Sequence, residues 1–249
     1  MGEISTFYIK NSQIIGEEIN LIGVDVNHIK NVLRYKAGDE LTVCDEAEQR
    51  YLTKIKELSN ECITLEIEKK MDFSTEPSIK ITLIQGLPKF DKMDLIVQKC
   101  TELGVEKIIP VIMERTVVKI DDSNGAKKVE RWNKIALEAS KQCGRTKIPT
   151  VEKIVNLENI VENLSKYDIV IVPYECEKEN MIKAVLRNTD TNIGNVAVVI
   201  GPEGGFSEKD ISVLEKLPNV KKVSLGERIL RTETAGIATV AMLLYEYDM

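Results

Sequence analysis

Residues 196–207 read VAVVIGPEGGFS and residues 224–235 read SLGERILRTETA, and these two stretches decide the fold prediction. Each of them contains a glycine-bearing loop that follows an apolar segment typical of a buried strand and precedes a helical pattern. Strand, loop and helix in this order are typical of a mainly parallel sheet covered by helices on both faces. The chain is therefore predicted to contain an α/β domain that binds its ligands at the carboxyl ends of the strands.

The same alternation begins at Ile79 and continues along the rest of the chain. Asp91 is a candidate helix cap, and Gly104 and Gly144 stand where helical patterns end. The predicted strands are Ile79–Ile84, Lys107–Met113, Asp168–Val172, Val196–Ile200 and Val220–Leu225. The predicted helices follow Asp91 as far as Gly104, include Trp132–Cys143, and then cover Asn180–Arg187, Glu208–Leu217 and Thr232–Tyr247.

The first seventy residues have a different pattern, in which short segments alternate imperfectly between apolar and polar residues. One or two helical turns are expected after Asp25, and the polar stretch Met71–Ser78 is predicted to be a linker. We therefore expect a small β-barrel domain over residues 1–72 and an α/β domain over residues 73–249. The predicted strands of the barrel are Thr6–Lys10, Glu40–Cys44, Arg50–Glu57 and Glu61–Glu68.

The composition excludes several classes of protein. Hydrophobic residues make up 43% of the 249 residues, and no stretch approaches the roughly 20 apolar residues of a membrane span. The N-terminus lacks the basic-then-apolar pattern of a secretory signal, so we expect a cytoplasmic protein without a membrane partner. Five widely spaced cysteines and one histidine, His28, argue against a disulfide framework and against a bound metal.

Charge is distributed unevenly along the chain. The formal net charge of −6 argues against indiscriminate nucleic-acid binding. Residues 1–72 hold nine Lys and Arg against fourteen Asp and Glu, whereas residues 80–147 hold fourteen against nine. The middle of the chain is thus a candidate RNA-binding region, although a solvated surface produces such a bias equally well.

Three segments after predicted strands are candidate binding loops, and the first is Val172–Glu175. In the second, 200–207, three glycines allow close approach of backbone amides to a ligand, although such a turn is also a common plain connection. It is neither a dinucleotide fingerprint nor a phosphate-binding P-loop. In the third, 224–235, Ile229 and Leu230 stand among charged residues, although a plain connection would be polar there. Apolar side chains beside backbone donors would suit a flat adenine and a methionine tail.

These two late loops resemble the signature loops of the SPOUT methyltransferases, in particular the ribosomal RNA small subunit methyltransferase E family. Other segments match that family's pattern in order and spacing, so the resemblance covers nearly the whole chain. They are Gln85–Lys89 with Asp91–Met93, Glu102–Val105, Glu114–Arg115 with Val117–Lys119, and Glu138–Arg145. One departure is that Ser5 and Thr6 stand before Phe7, where the family usually has an arginine.

The resemblance implies a PUA-like β-barrel followed by an α/β domain threaded as a trefoil knot. It implies a homodimer that uses S-adenosyl-L-methionine to methylate N3 of a specific uridine in 16S ribosomal RNA or the small ribosomal subunit. The implied cofactor-binding residues lie in the three loops and at the start of the last helix. They are Val172, Pro173, Ile200, Gly201, Glu203, Gly204, Leu225, Gly226, Ile229, Leu230, Arg231 and Thr234.

Three residues are candidates for catalysis. Arg231 is always cationic and fork-shaped, so it is predicted to orient or stabilise the uracil as negative charge develops on its oxygens. Glu203 is a candidate acceptor of the N3 proton, as is Glu233, although either carboxylate could instead hold the cofactor or cap a helix. Water is a further alternative acceptor.

Basic residues of the middle region are predicted to contact RNA, with one more from the barrel. A solvated helix face is the alternative for each of them. Two other functions also fit the pattern: a non-enzymatic RNA-binding module in ribosome assembly, and a SPOUT enzyme acting on ribose or on transfer RNA. The predicted RNA contacts are Arg34, Lys89, Lys92, Arg115, Lys119, Lys141 and Arg145.

Overall fold

A computed structural model describes residues 6–189 and 193–248, apart from the side chain of Asp122, so Ser5 lies outside the described residues. The chain divides into two compact units. The first contains the residues up to Glu76 together with Ser140–Lys147, and the second contains Pro77–Ala139 and the residues from Ile148 onward. The boundary predicted between residues 72 and 73 remains a prediction.

The first unit contains a six-stranded sheet in the order β1-β4-β5-β6-β3-β2. Its pairs are antiparallel except for β1 with β4, which run parallel. A short helix, α1 (Val24–Asn27), continues into a π-helical turn at His28–Val32. The strands are β1 (Thr6–Tyr8), β2 (Ile14–Ile15), β3 (Glu18–Ile22), β4 (Glu40–Cys44), β5 (Arg50–Leu58) and β6 (Cys62–Met71).

Alternating side chains of these strands form the core of the first unit. Ile19, Leu41, Val43, Ile63 and Leu65 are fully buried and pack in one cluster. Period-two alternation places such residues on one face of a sheet. The predicted strands of this region are confirmed, whereas β2 and β3 were not predicted, because Ile14–Ile22 mixes glycine, acidic and apolar residues without clear alternation.

The second unit contains a parallel sheet in the order β10-β8-β7-β12-β11-β13, with β9 paired to β8. Its strands are β7 (Lys80–Gly86), β8 (Lys107–Ile112), β9 (Thr150–Val151), β10 (Val155–Asn156), β11 (Ile169–Pro173), β12 (Asn195–Ile200) and β13 (Val220–Val223). Its helices are α2 (Lys92–Leu103), α3 (Asp122–Cys143), α4 (Val161–Leu164), α5 (Ile182–Arg187), α6 (Glu208–Leu214) and α7 (Thr232–Tyr247), of which α3 ends within the segment grouped with the first unit. The predicted α/β class is therefore confirmed.

Both faces of this sheet are buried. Ile171 and Val198 enter one hydrophobic cluster, and their neighbours Val170 and Val199 enter another. Continuous apolar strands thus arise because each face of a parallel sheet is covered. Gly104 ends α2 with a left-handed φ of 109°, as its position after the apolar pattern predicts.

In the part of the chain that the structure describes, no helix combines the length and apolar character needed to cross a membrane.

Candidate functional site

Three loops of the second unit meet around a pocket of about 410 Å³. They follow β11, β12 and β13, three neighbouring strands of the parallel sheet, so their carboxyl ends open at one edge. The first loop contributes Pro173, Tyr174 and Glu175. The other lining residues are Lys92, Ile200–Glu203, Gly205, Phe206, Ser224–Thr232 and Ala235.

A chain of buried hydrogen bonds holds the second loop against the start of α7. The side-chain amide of Gln85 donates to the Thr232 hydroxyl at 2.8 Å, and that hydroxyl donates to the Gly201 carbonyl at 2.6 Å. Gln85 is fully buried and Thr232 is 6% exposed, so these bonds are shielded from water. They fix the 200–207 loop and the N-terminus of α7 to the end of β7.

Glycine permits the close approach of β7 to this loop. A Cβ added to Gly86 would lie 2.6 Å from the Pro202 nitrogen and 2.9 Å from the Gly201 carbonyl carbon. Real Cβ atoms do not approach backbone so closely, so a larger residue at position 86 would displace the loop. Gly226, which also lines the pocket, has a φ of 108°, and a Cβ added there would meet no atom within 4 Å.

An ammonium group joins two carboxylates at the pocket. Lys92 Nζ lies 3.0 Å from Glu203 Oε1 and 3.3 Å from Glu233 Oε2, so it forms an ion pair with each. The hydrogen bond with Glu203 raises the pKa of Lys92. Burial favours a higher pKa for Glu203, but the hydrogen bonds from the Lys89 amide and the Lys92 ammonium outweigh it and lower that pKa. Both groups therefore stay charged at neutral pH.

The outer wall of the pocket carries exposed cationic and apolar side chains. Arg231 is exposed, and its guanidinium forms no hydrogen bond or ion pair with other residues that the structure describes. Arg228 is also exposed, and Ile229 is 86% exposed although it is apolar. These side chains are available to a ligand or a substrate entering from solvent.

Most of the predicted cofactor-binding residues lie around this one pocket. Val172 is fully buried behind the pocket wall, and Gly204 packs toward Arg115 rather than into the cavity. Thr234 is exposed on the first turn of α7 and is not among the lining residues. The predicted residues that line the pocket are Pro173, Ile200, Gly201, Glu203, Leu225, Gly226, Ile229, Leu230 and Arg231.

The predicted RNA contacts of the second unit are placed in different ways. Lys92 faces the pocket, as described above, rather than a solvated helix face. Lys89 is held by its backbone amide, which donates to Glu203 Oε1 at 2.9 Å. Arg115 is exposed and donates to the Gly204 carbonyl at 3.1 Å, and Lys119 is exposed.

The predicted RNA contacts of the first unit include two residues that are held in ion pairs. Arg145 is 3% exposed and its guanidinium pairs with Glu76. Lys141 lies 2.7 Å from Asp25. These arrangements favour a role in packing the 140–147 segment, whereas Arg34 is exposed, and contact with RNA remains a prediction for all three.

Sequence reasoning missed the residues that hold the pocket together. Gln85 is a polar residue at the end of an otherwise apolar strand, and this anomaly was a usable signal for a buried hydrogen-bonding role. Thr232 had no such signal, because threonine is ordinary at a helix start. Tyr174 packs edge-on against Phe206, with ring centroids 6.3 Å apart, and this contact links two loops that are distant in sequence.

The arrangement can bind a ligand that is partly flat and apolar and partly charged. Ile200, Leu225 and Leu230 supply apolar walls, and the glycine-bearing loops supply backbone groups. Pockets of roughly 300–1,000 Å³ with a few placed polar groups are typical small-molecule sites. In the described residues, no cluster of three or more His, Cys, Asp or Glu has the geometry of a metal site.

Comparisons with known proteins agree with this geometry. Residues 75–244 match the family model described as an RNA methyltransferase domain, and residues 21–68 match that of an RNA methyltransferase PUA domain. Ribosomal RNA small subunit methyltransferase E of Bacillus subtilis is 33% identical over 92% of this chain and 91% of its own.

Solved structures are similar over almost the whole chain. A methyltransferase of Legionella pneumophila, in complex with the bound cofactor SAM, is 30% identical with a TM-score of 0.85 over 98% of both chains. Ribosomal RNA small subunit methyltransferase E of Neisseria gonorrhoeae, bound to S-adenosyl methionine, is 30% identical with a TM-score of 0.84 over 97% of both chains. The family predicted from the sequence is thus confirmed, and the chain belongs to the ribosomal RNA small subunit methyltransferase E family.

Proposed function

We propose that this chain transfers a methyl group from S-adenosyl-L-methionine to N3 of a specific uridine in 16S ribosomal RNA, free or in the small ribosomal subunit. The observation that carries the proposal is the pocket built by the 200–207 and 224–235 loops in a chain of this family. Relatives named ribosomal RNA small subunit methyltransferase E support it, as do two similar structures that hold S-adenosylmethionine.

The residues present fit this cofactor. The pocket volume of about 410 Å³ suits a nucleoside with an amino-acid tail. The bare backbone at Gly226 leaves room for a planar adenine between Leu225 and Ile229. We propose that the apolar side chains hold the adenine, that Gly201 and Gly226 offer backbone groups, and that Glu203, with its lowered pKa, balances positive charge on the cofactor.

The bound cofactor would supply an electrophilic methyl group on a positively charged sulfur, which a nucleophile must approach in line. The chain contributes by holding the uracil in position and by stabilising charge as N3 loses its proton. Arg231 is the candidate for both roles, because its guanidinium is exposed at the pocket and has no partner among the described residues. A forked cation suits the developing negative charge on the uracil oxygens.

The acceptor of the N3 proton is Glu203, Glu233 or water in this proposal. Glu203 is ionised at neutral pH, as an acceptor must be, but its lowered pKa makes it a weak base. Glu233 lies beside the same ammonium of Lys92. Both carboxylates are therefore suited to ordering the pocket as well as to receiving a proton.

The finer architecture belongs to the same proposal. We propose that the six-stranded sheet closes as a PUA-like barrel and that the chain after β13 is threaded as a trefoil knot. The return of α7 to the middle of the parallel sheet, where it packs on β7 and β12, supports such a path. Exposed apolar residues on α2 and α7, namely Leu95, Met242 and Tyr245, support a homodimer. A ribosomal substrate and five free thiols fit a cytoplasmic enzyme.

The proposal is tested by mass spectrometry of 16S ribosomal RNA from a strain that lacks this protein. Loss of one N3-methyluridine, restored by the wild-type chain, is the expected result. An unchanged modification profile would overturn the proposed substrate. Isothermal titration with S-adenosylmethionine then distinguishes the two alternative functions. A methyltransferase with another RNA substrate would bind the cofactor, whereas a non-enzymatic assembly factor would not.

The role of Arg231 is tested by Arg231→Ala. Turnover should fall by about a hundredfold or more, as for the loss of a preorganised charge-stabilising group, while the affinity for S-adenosylmethionine stays close to that of the wild type. Arg228→Ala is the matched control, because Arg228 is also exposed at the pocket. Undiminished turnover of the Arg231 variant would eliminate its proposed role.

A further inference from the structure

Phe90 combines two features that are unfavourable for a large apolar residue. Its side chain is 87% exposed to solvent, and its backbone has a φ of 57°. A bulky residue in the left-handed region is a genuine outlier, because its Cβ crowds the backbone there. Glycine would adopt the same conformation without strain. Neither burial nor local backbone preference therefore explains a phenylalanine at this position.

The segments on both sides of Phe90 are held in place. Leu87 is buried and its amide donates to the Val111 carbonyl at 2.9 Å. The Lys89 amide donates to Glu203, and the α2 helix begins at Lys92. The turn between these anchors presents the Phe90 ring to solvent.

The turn that carries Phe90 leads into Lys92, which lines the pocket, and it lies between two lysines in the sequence. Lys89 and Lys92 both contact Glu203, a lining residue, and Arg115 donates to the neighbouring Gly204 carbonyl. Consecutive Cα atoms are about 3.8 Å apart, so the Phe90 Cα lies within about 7.6 Å of the Lys92 Cα. The exposed carboxylate of Asp91 lies on the same turn, with Arg131 at 4.0 Å.

We propose that Phe90 is a stacking platform for an unpaired RNA base at the mouth of this pocket. The inference rests on the proposed function, since it assigns a further contact with the same substrate. Exposed aromatic rings on which bases stack are a recurring feature of proteins that bind single-stranded nucleic acid, and the neighbouring Lys89 and Lys92 could contact its phosphates. Stacking tolerates any base, so Phe90 contributes affinity and positioning rather than sequence recognition.

Three variants test this role through methylation of small ribosomal subunits from a strain lacking the protein. Phe90→Gly relieves the backbone strain and removes the ring, Phe90→Leu keeps an apolar side chain, and Phe90→Tyr keeps the aromatic face. Loss of one stacked base lowers kcat/KM for RNA by about 5- to 150-fold. We expect that loss for Phe90→Gly and Phe90→Leu, near-normal values for Phe90→Tyr, and unchanged affinity for S-adenosylmethionine in all three.

Phe90→Gly should also raise the unfolding midpoint, because the strain is removed. Lower activity in a protein that is at least as stable as the wild type excludes misfolding as the cause. Normal kcat/KM for RNA in Phe90→Gly would overturn the proposal. If wild type sediments as a dimer and Phe90→Gly as a monomer, the proposal is also overturned, because the wild-type ring then packs against a second copy of the chain.

A binding measurement separates this inference from the proposed function. Phe90→Trp adds an exposed indole, whereas the native Trp132 is 4% exposed. A mixed-sequence single-stranded RNA oligonucleotide should quench the new fluorescence, and should bind Phe90→Gly more weakly than wild type, whether or not methyl transfer occurs. If RNA quenches the indole fluorescence but the protein transfers no methyl group, the stacking site is supported and only the proposed reaction is refuted. Absence of quenching, with equal RNA affinity for Phe90→Gly and wild type, would refute the stacking site.

Discussion

Replacement of Thr232 by valine tests whether buried hydrogen bonds hold the pocket together. Valine keeps the shape of the side chain but removes the hydroxyl, which accepts from Gln85 at 2.8 Å and donates to the Gly201 carbonyl at 2.6 Å. A typical hydrogen bond contributes about 1 kcal/mol net, and a buried group left without a partner costs about 1–3 kcal/mol. Gln85 keeps its bond to the Gly86 carbonyl. We therefore expect the free energy of unfolding to fall by about 2–4 kcal/mol.

The same change should weaken cofactor binding, because Gly201 and Thr232 line the pocket from two different loops. If about 1.4 kcal/mol of this loss is lost from the binding free energy because the two loops are held less firmly, the Kd for S-adenosylmethionine rises about tenfold. Urea unfolding followed by the fluorescence of Trp132, which belongs to the second unit, measures the first effect. Isothermal titration measures the second.

Thr239→Val is the matched control. Thr239 is fully buried in the same helix, but its hydroxyl donates to the Ala235 carbonyl, one turn earlier in α7, at 2.7 Å. Its loss should cost about 1 kcal/mol and leave the Kd unchanged. Equal cofactor affinity for Thr232→Val and wild type would refute the argument that this hydrogen-bond chain organises the pocket.

Three other substitutions give independent tests. Gly86→Ala should lower the free energy of unfolding by about 1–3 kcal/mol and weaken cofactor binding, because its Cβ would lie 2.6 Å from the Pro202 nitrogen. Arg145→Met should cost about 3–5 kcal/mol in unfolding experiments, because it leaves the Glu76 carboxylate without its buried guanidinium. Glu203→Gln should change how stability depends on pH: the pKa of Glu203 is lowered on folding, so its carboxylate stabilises the protein above the ordinary value of 4.5. The advantage of wild type over Glu203→Gln should therefore be constant near neutral pH and shrink as the pH falls from 4.5 through the lowered pKa.

Matched variants control the first two of these experiments. Gly194→Ala adds a Cβ whose nearest neighbour is an Asp168 oxygen at 3.8 Å, so it should be neutral or slightly stabilising. Lys134→Met breaks an exposed pair with Glu130 and should cost under about 1 kcal/mol. Equal effects of a test variant and its control would contradict the corresponding argument.

The residue pattern alone determined most elements of the second unit. Apolar runs and helical periodicity placed β7, β8, β11, β12 and β13 correctly, because strands buried on both faces must be apolar throughout. Glycine after the last periodic residue placed the end of α2. The two late loops were also identified from the sequence, because glycine-rich segments follow strands whose carboxyl ends share one edge of the sheet.

Tertiary structure decided what depends on partners that are distant in sequence. The strand order, with β12 between β7 and β11, arises from pairings that no local pattern encodes. The hydrogen-bond chain from Gln85 to Thr232 joins residues 147 positions apart. Likewise, Arg145 has the same intrinsic charge as Arg231, but only the folded chain places Glu76 beside one guanidinium and leaves the other exposed at the pocket. A side chain's chemistry is set by its sequence, whereas its partners and its exposure are set by the packing of the whole domain.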